Sequence, residues 1–78
     1  MTASGRAWII VAKGVSCTSA KSVVRRLAAR TAAVHAGQHV TVASPLRGYT
    51  SVLASQGKPG GSCSTPGAAR SVLWLVAA

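Results

Sequence analysis

The chain contains no aspartate and no glutamate, although nine of its 78 residues are lysine or arginine. Without side-chain carboxylates, these basic side chains can form an ion pair within the fold only with the C-terminal carboxylate. Burying an unpaired charge is very costly, so we expect every lysine and arginine to stay at the surface. The fold must therefore keep its nine positive charges exposed, where water or an external anion can meet them.

The absence of acidic residues also removes several classes of function. Acid–base catalysis by paired carboxylates needs two Asp or Glu residues, and a Ser-His-Asp triad needs an acid to orient its histidine. Calcium and magnesium sites are built mainly from carboxylate oxygens. We therefore expect a non-catalytic protein that uses no cofactor.

The length and composition allow one small domain, residues 1–78, with a limited core. Phenylalanine is absent and the apolar residues are mostly alanine and valine, which bury little area each. A domain of this size buries only about 60% of the surface of its unfolded chain. We expect weak stability in isolation and some stabilisation from a partner surface.

The spacing of apolar residues divides the first half of the chain into three elements. Residues 8–12 form a short continuous apolar run, which is typical of a buried strand. Apolar residues recur at helical spacing over residues 20–36, and residues 39–43 alternate between apolar and polar as a strand does. Strand, helix and strand in this order predict a βαβ unit, and hence a small single domain of the α/β or α+β class.

The second half of the chain is less regular. Residues 46–56 fit a strand or a short helix, with a strand favoured, and residues 70–77 are apolar enough for a final strand. The composition of residues 57–69, rich in Gly, Pro and Ser, is typical of a flexible loop. We expect residues 1–7 to be a flexible N-terminus. The prediction is a βαβ unit followed by one or two further strands.

The predicted helix has its N-cap at Thr18 or Ser19 and ends at Gly37. Its charged residues lie on the side opposite its apolar residues. The side opposite the apolar residues carries four of the nine cations, which we call the basic strip: Lys21, Arg25, Arg26 and Arg30. Ordinary solvated faces mix both signs of charge, whereas this one has no acid to balance it. We therefore expect the basic strip to bind a polyanion, with RNA favoured over DNA, in a complex such as a ribonucleoprotein.

Two cations outside the helix, Arg47 and Lys58, are expected to be outlying contacts to the same nucleic acid. Lys58 stands in the sequence GKPG (57–60), which resembles the Gly-x-x-Gly loop with which KH domains clamp a nucleic-acid backbone. In such a loop the glycines allow close approach and the lysine meets a phosphate. The alternative for this segment is a plain flexible loop.

A second interpretation places phosphate binding at the start of the helix. The segment IIVAKGVSCTSAKSVV (9–24) resembles a P-loop in its order of strand, loop, Lys-Ser and helix. Lys21 and Ser22 occupy the last two positions of that pattern, while Val15 and Ala20 stand where its glycines should be. The alternative function is therefore a degenerate, P-loop-like fragment that binds phosphate or a nucleotide.

Thiols, imidazoles and aromatic rings offer further hypotheses. Four residues are of the types that bind zinc: Cys17, His35, His39 and Cys63. Their spacing matches no zinc finger, so we expect no metal site. The two cysteines could pair in one disulfide, although two free thiols are the default expectation. The aromatic residues could stack on bases, but each fits a core position better: Trp8, Tyr49 and Trp74.

A third interpretation gives the chain no biochemical activity of its own. Residues 1–36 contain Arg and Ser, lack acids and are partly amphipathic, as mitochondrial transit peptides are. Ala, Val, Ser, Gly and Arg dominate the composition, as they would in a peptide from an alternate reading frame of a GC-rich gene. No apolar run reaches the roughly 20 residues of a membrane-spanning helix. An intracellular location is favoured, with a mitochondrial one left open.

Overall fold

The computed structural model describes residues 1–3, 5–55 and 58–77. Within these residues, six strands and one α-helix form a small α+β domain. The strands are β1 (Thr2–Ala3), β2 (Arg6–Lys13), β3 (His39–Val42), β4 (Thr50–Ser55), β5 (Pro59–Ser64) and β6 (Ser71–Val76). The helix is α1 (Cys17–Ala32), and a short 3-10 helix (Pro66–Ala68) precedes the last strand.

The described strands join one sheet in which every hydrogen-bonded pair is antiparallel. Their order across the sheet is β1-β2-β6-β5-β4-β3. The two strands that flank α1 in the chain, β2 and β3, are therefore not neighbours, because β6, β5 and β4 lie between them. They point in the same direction, since four antiparallel steps separate them. The predicted βαβ arrangement is not confirmed by this strand order.

Helix α1 begins at Cys17, before the predicted start at residue 20. Its N-cap is Ser16 rather than the predicted Thr18 or Ser19. The Ser16 hydroxyl accepts a hydrogen bond from the Ser19 backbone N–H at 3.2 Å. A capping hydroxyl satisfies one of the N–H groups that the first helical turn leaves free. Apolar spacing placed the start too late because this first turn is polar.

The helix ends at Ala32, short of the predicted end at residue 36. The chain that follows bonds to β4: the Gly37 N–H donates to the Ser55 carbonyl oxygen at 2.6 Å, and the Ser55 N–H donates to the Gln38 carbonyl oxygen at 3.3 Å. Gly37 has a φ of 81°, in the left-handed region that favours glycine. Gly37 therefore belongs to this turn and does not cap the helix.

The core lies between α1 and the sheet face that α1 covers. The helix contributes small and branched side chains, and the sheet contributes larger ones, including both tryptophans. The buried apolar residues are Ala20, Val23, Val24, Leu27 and Ala28 from α1, and Trp8, Val42, Leu53, Cys63, Val72, Trp74 and Val76 from the sheet. The hydroxyl of buried Thr31 donates to the Leu27 carbonyl oxygen at 2.7 Å and accepts from Trp74 Nε1 at 3.1 Å. This pair of bonds ties the end of α1 to β6.

Strand β5 occupies Pro59–Ser64, within the segment 57–69 for which a flexible loop was predicted. The composition misled the prediction because the strand depends on a tertiary contact. Gly61 lies opposite Trp74 in the ladder between β5 and β6, and a Cβ at this glycine would lie 2.4 Å from Trp74 Cζ2. Only a residue without a side chain fits under the ring. Residue 57 lies outside the described residues.

The remaining strand predictions have mixed outcomes. Residues 1–7 were predicted to be flexible, but residues 2–3 form β1 and the Trp8 N–H donates to the Met1 carbonyl oxygen at 2.7 Å. The strand favoured over residues 46–56 is present as β4. The final strand predicted over residues 70–77 is present as β6.

The sheet face opposite α1, which we call the open face, is not covered by the described part of the chain. The continuous apolar run 8–12 was predicted to be a buried strand, yet within it Trp8 alone is buried and Ile10 is half-buried. Trp8 is buried against α1, whereas Ile9 and Val11 on the open face are 56% and 57% exposed. Leu73 and Leu75 of β6 are 48% and 45% exposed on the same face.

Candidate functional site

Every lysine and arginine of the chain is exposed, as the absence of acidic residues predicts. Two adjacent arginines of the basic strip, Arg25 and Arg26, are exposed to solvent although their neighbours in the chain lie in the core. Val24 precedes them, Leu27 follows them, and both of these residues are buried. The packing of α1 on the sheet therefore determines which way the charges point.

The basic strip consists of two rows of charge that flank the most solvent-facing line of α1. With about 100° between successive residues, Lys21 and Arg25 lie on one side of that line, and Arg26 and Arg30 lie on the other. The line itself carries only small side chains: Thr18, Ser22 and Ala29, all of them exposed. A phosphate backbone could approach this line closely and find cations on both of its sides.

Packing, rather than intrinsic helix stability, holds this charged face in place. Two like-charge pairs, Lys21 with Arg25 and Arg26 with Arg30, stand four residues apart and destabilise an isolated helix by a few tenths of a kcal/mol each. Arg30 offsets part of this cost because it lies in the last turn, where the helix dipole favours a positive charge. Burial of the apolar side of α1 against the sheet stabilises the helix and offsets the remaining cost.

The outlying residues Arg47 and Lys58 lie at opposite ends of the sheet. Arg47 lies between β3 and β4, at the end where β2 leads into α1. Lys58 lies between β4 and β5, at the end where α1 finishes. The structure therefore places one of these cations near each end of the helix layer. The predicted Gly-x-x-Gly loop is only partly described, since residue 57 lies outside the described residues.

Three exposed cations were not singled out by the sequence pattern: Arg6, Lys13 and Arg70. Lys13 ends β2 opposite Ser71, and the Arg70 side chain lies beside Gly14, where an added Cβ would be 3.0 Å from Arg70 Cγ. Lys13 and Arg70 are thus neighbours in space although far apart in the chain. No local signal could have joined them, because the pairing of β2 with β6 brings them together.

The aromatic residues do not form a surface on which bases could stack. Trp8 and Trp74 are each only 3% exposed. The Trp8 Nε1–H donates to the Ala3 carbonyl oxygen at 3.1 Å, and Tyr49 packs half-buried against the core. The indole rings of both tryptophans lie on the helix side of the sheet, which confirms the prediction that they are core residues.

The cysteines are free, with Cys17 exposed at the start of α1 and Cys63 buried in β5. The Cys63 thiol contacts the buried Ser51 hydroxyl across the ladder between β4 and β5. Within residues 1–3, 5–55 and 58–77, no three His, Cys, Asp or Glu residues come together in a way that could hold a metal ion.

In the P-loop-like segment, the lysine and the serine of the pattern lie beyond the first turn of the helix. Lys21 and Ser22 lie in the second turn of α1, and the first turn is capped by a serine hydroxyl. The cleft beside Lys21 has a volume of about 200 Å³ and is otherwise lined mainly by apolar side chains: Ile10, Ala12, Cys17 and Ala20. This lining suits a phosphate poorly.

The described part of the chain contains no helix long and apolar enough to cross a lipid bilayer. Comparison with known protein families, with curated proteins and with solved structures gave no match for this chain. Its function must therefore be argued from its own residues and geometry.

Proposed function

We propose that this chain is a non-catalytic RNA-binding protein that contacts phosphates through the basic strip of α1. The observation that carries the proposal is the exposure of all nine cations in a chain without a single acidic side chain. These charges repel one another, and self-repulsion at high net charge opposes the compact state. A polyanion removes that repulsion and gains the entropy of released counterions.

The form of the strip favours contacts to phosphates over contacts to bases. Arginine and lysine are the usual partners of phosphate oxygens. The solvent-facing line between the two rows offers only Thr18, Ser22 and Ala29, with no Asn or Gln side chain to read a base edge. Binding should therefore depend weakly on sequence.

The distribution of the outlying cations favours folded RNA over a straight DNA duplex. The helix α1 has 16 residues, which corresponds to a length of roughly 24 Å. Arg47 and Lys58 lie outside α1, one at each end of the sheet. Folded RNA can surround a small protein and meet these cations from several sides, as it does in a ribonucleoprotein.

The proposal is tested by reversing charges within the strip. The double variant Arg25→Glu/Arg26→Glu should weaken binding to a fluorescently labelled structured RNA by about a hundredfold or more, because it removes two cations and adds repulsion. The matched control is Arg6→Glu/Arg70→Glu, which changes the net charge equally but lies outside the strip. We expect this control to lose about tenfold or less.

Equal losses in the two double variants would show that only overall charge matters and that the strip is not a site. Equal affinity for a DNA duplex of the same length would contradict the preference for RNA. The single variants Lys21→Ala and Arg30→Ala separate the strip from a P-loop-like site. Under our proposal both weaken RNA binding by similar factors, whereas a P-loop-like site requires Lys21 alone.

A further inference from the structure

Strand β2 has an outer edge that β1 covers only at its start. Strand β1 pairs with Arg6 and Ala7, and the Met1 carbonyl oxygen accepts a hydrogen bond from the Trp8 N–H at 2.7 Å. In the described part of the chain, β1 is the only strand on this side of β2. The rest of β2, residues 9–13, therefore has a free strand edge, which we call the β2 edge.

Two residues of the β2 edge direct their backbone groups away from the sheet. Successive residues of an antiparallel strand direct their N–H and C=O groups to alternate sides. Ala7 bonds towards β6, because its carbonyl oxygen accepts from the Ala77 N–H at 2.9 Å, whereas Trp8 bonds in the opposite direction. Ile10 and Ala12 share the direction of Trp8. Their N–H and C=O groups have no hydrogen-bond partner among the described residues.

The β2 edge lacks the features that usually keep free strand edges from pairing. Native proteins protect such edges with charges, prolines or bulges along the strand. Residues 9–12 are apolar throughout, and the first charged residue is Lys13 at the end of the strand. The partner that satisfies alternate N–H and C=O groups along a strand is another extended backbone. The β2 edge is therefore suited to the addition of one more strand.

The cleft beside Lys21 lies along the same edge. It is lined by the side chains of Ile10 and Ala12 from β2 and by residues from the start of α1, and no residue of β6 lines it. Side chains of an added strand alternate between the two faces of the sheet, so every second one would lie beside this cleft. An apolar cavity of about 150 Å³ holds a benzene molecule, so a cleft of about 200 Å³ has room for one apolar side chain.

The charges around the β2 edge favour an acidic partner. Lys21 lines the cleft and Lys13 ends the strand, and the chain has no acidic side chain to pair with either of them. Complementary charges guide association, and like charges suppress wrong partners. A second copy of this chain would bring nine further lysines and arginines and no acidic side chain. Charge complementarity therefore selects a different, acidic polypeptide.

We propose that the β2 edge binds an extended acidic segment of another protein, which adds a strand to the sheet beside β2. Ile10 and Ala12 exchange main-chain hydrogen bonds with this segment, and one of its apolar side chains occupies the cleft. Acidic side chains on either side of that apolar residue meet Lys21 and Lys13. In strand addition of this kind, main-chain bonds supply affinity and the pocket supplies specificity. Apart from Lys21, this surface shares no residue with the basic strip.

Fluorescence anisotropy with a labelled peptide of sequence Glu-Val-Thr-Val-Thr-Val-Glu tests the proposal. When the peptide pairs antiparallel to β2 with its valine side chains on the cleft side, its valine N–H groups face β2 and its threonine N–H groups face away. N-methylation of the valines should weaken binding at least about tenfold, whereas N-methylation of the threonines should weaken it less than about threefold. Replacement of both glutamates by glutamine should also weaken binding, because it removes the charges that meet the lysines.

The thiol of Cys17 provides a readout on the unaltered protein. Cys17 is exposed and lines the cleft, whereas Cys63 is buried, so a maleimide should modify Cys17 alone. Saturating peptide should slow this modification severalfold, because a side chain in the cleft covers the thiol. The peptide with N-methylated valines, at the same concentration, should protect the thiol much less.

Variants of the protein test the two sides of the contact. Ala12→Pro removes an outward N–H at an exposed edge position, where proline is tolerated, and should weaken peptide binding at least about tenfold with an unchanged circular dichroism spectrum. Lys21→Ala should also weaken it, whereas Ser22→Ala should not. Equal affinities of the two N-methylated peptides, or an unchanged rate of Cys17 modification, would overturn the proposal. A dimer of the parent chain that Ala12→Pro dissociates, without any peptide binding, would assign the edge to a second copy instead.

Discussion

At the scale of single residues, the contact between Gly61 and Trp74 decides how the middle of the sheet is built. The indole of Trp74 lies beside Gly61 of β5, with its Nε1–H bonded to the buried Thr31 hydroxyl at 3.1 Å. A Cβ on Gly61 would lie 2.4 Å from Cζ2 and 2.6 Å from Cε2 of the ring. Since the Thr31 bond holds the ring in position, the ring cannot move away without leaving a buried donor unpaired.

Gly61→Ala should therefore lower the free energy of unfolding by about 1–3 kcal/mol, the usual cost of overpacking a well-packed site. Urea denaturation followed by tryptophan fluorescence measures this loss. The double variant Gly61→Ala/Trp74→Leu serves as the control, because removal of the ring gives the methyl group room. The loss caused by alanine should be much smaller in the Trp74→Leu background than in the parent. Equal losses in both backgrounds would show that the ring is not the cause.

At the scale of elements, α1 is stabilised at its start by a single hydroxyl and along its length by packing. Ser16 caps the first turn, and the first turn contains no acidic residue to interact with the helix dipole. The following turns present only positive charges to solvent, which do not stabilise one another. The cap is therefore a larger part of the local stability than it would be in a helix with mixed charges.

Ser16→Ala should destabilise the protein by about 1 kcal/mol, the typical cost of losing an N-cap hydroxyl. Ser16→Asp should be at least as stable as the parent, because a carboxylate can cap the turn and also meets the positive end of the helix dipole. Thermal unfolding followed by circular dichroism ranks the variants. Ser22→Ala, at an exposed mid-helix position, is the control and should change stability by no more than about 0.5 kcal/mol. An Asp variant less stable than the Ala variant would contradict this account of the cap.

The elements also show how far sequence reasoning reaches. Apolar patterns predicted α1, β2, β3 and β6 because each of these elements carries apolar residues in a continuous run or at the spacing of its secondary structure. The same reasoning missed β5, since Gly60 and Gly61 form a strand only where Trp74 and Leu75 of β6 lie beside them. The positions of Lys21 and Arg30 followed from helical spacing. The meeting of Lys13 with Arg70 did not, because strand order is a property of the whole sheet.

At the scale of the whole molecule, two surfaces of different character lie on opposite sides of one thin domain. The helix layer carries the basic strip, and the open face carries the exposed apolar side chains of β2 and β6. A chain with a formal net charge of +9 and a small core has little stability to spare. We infer that an anionic partner on the helix side would add to that stability.

The salt dependence of RNA binding tests the central proposal most directly. If each of the four residues of the basic strip neutralises one phosphate of a single strand, log K should fall linearly with log salt with a slope near −3, about −0.7 for each contact. Arg25→Ala and Arg26→Ala should each reduce the slope by about 0.7 and weaken all RNA sequences alike, because phosphate contacts carry no base information. An affinity independent of salt, or a slope unchanged when both arginines are replaced, would show that the strip is only a solvated helix face.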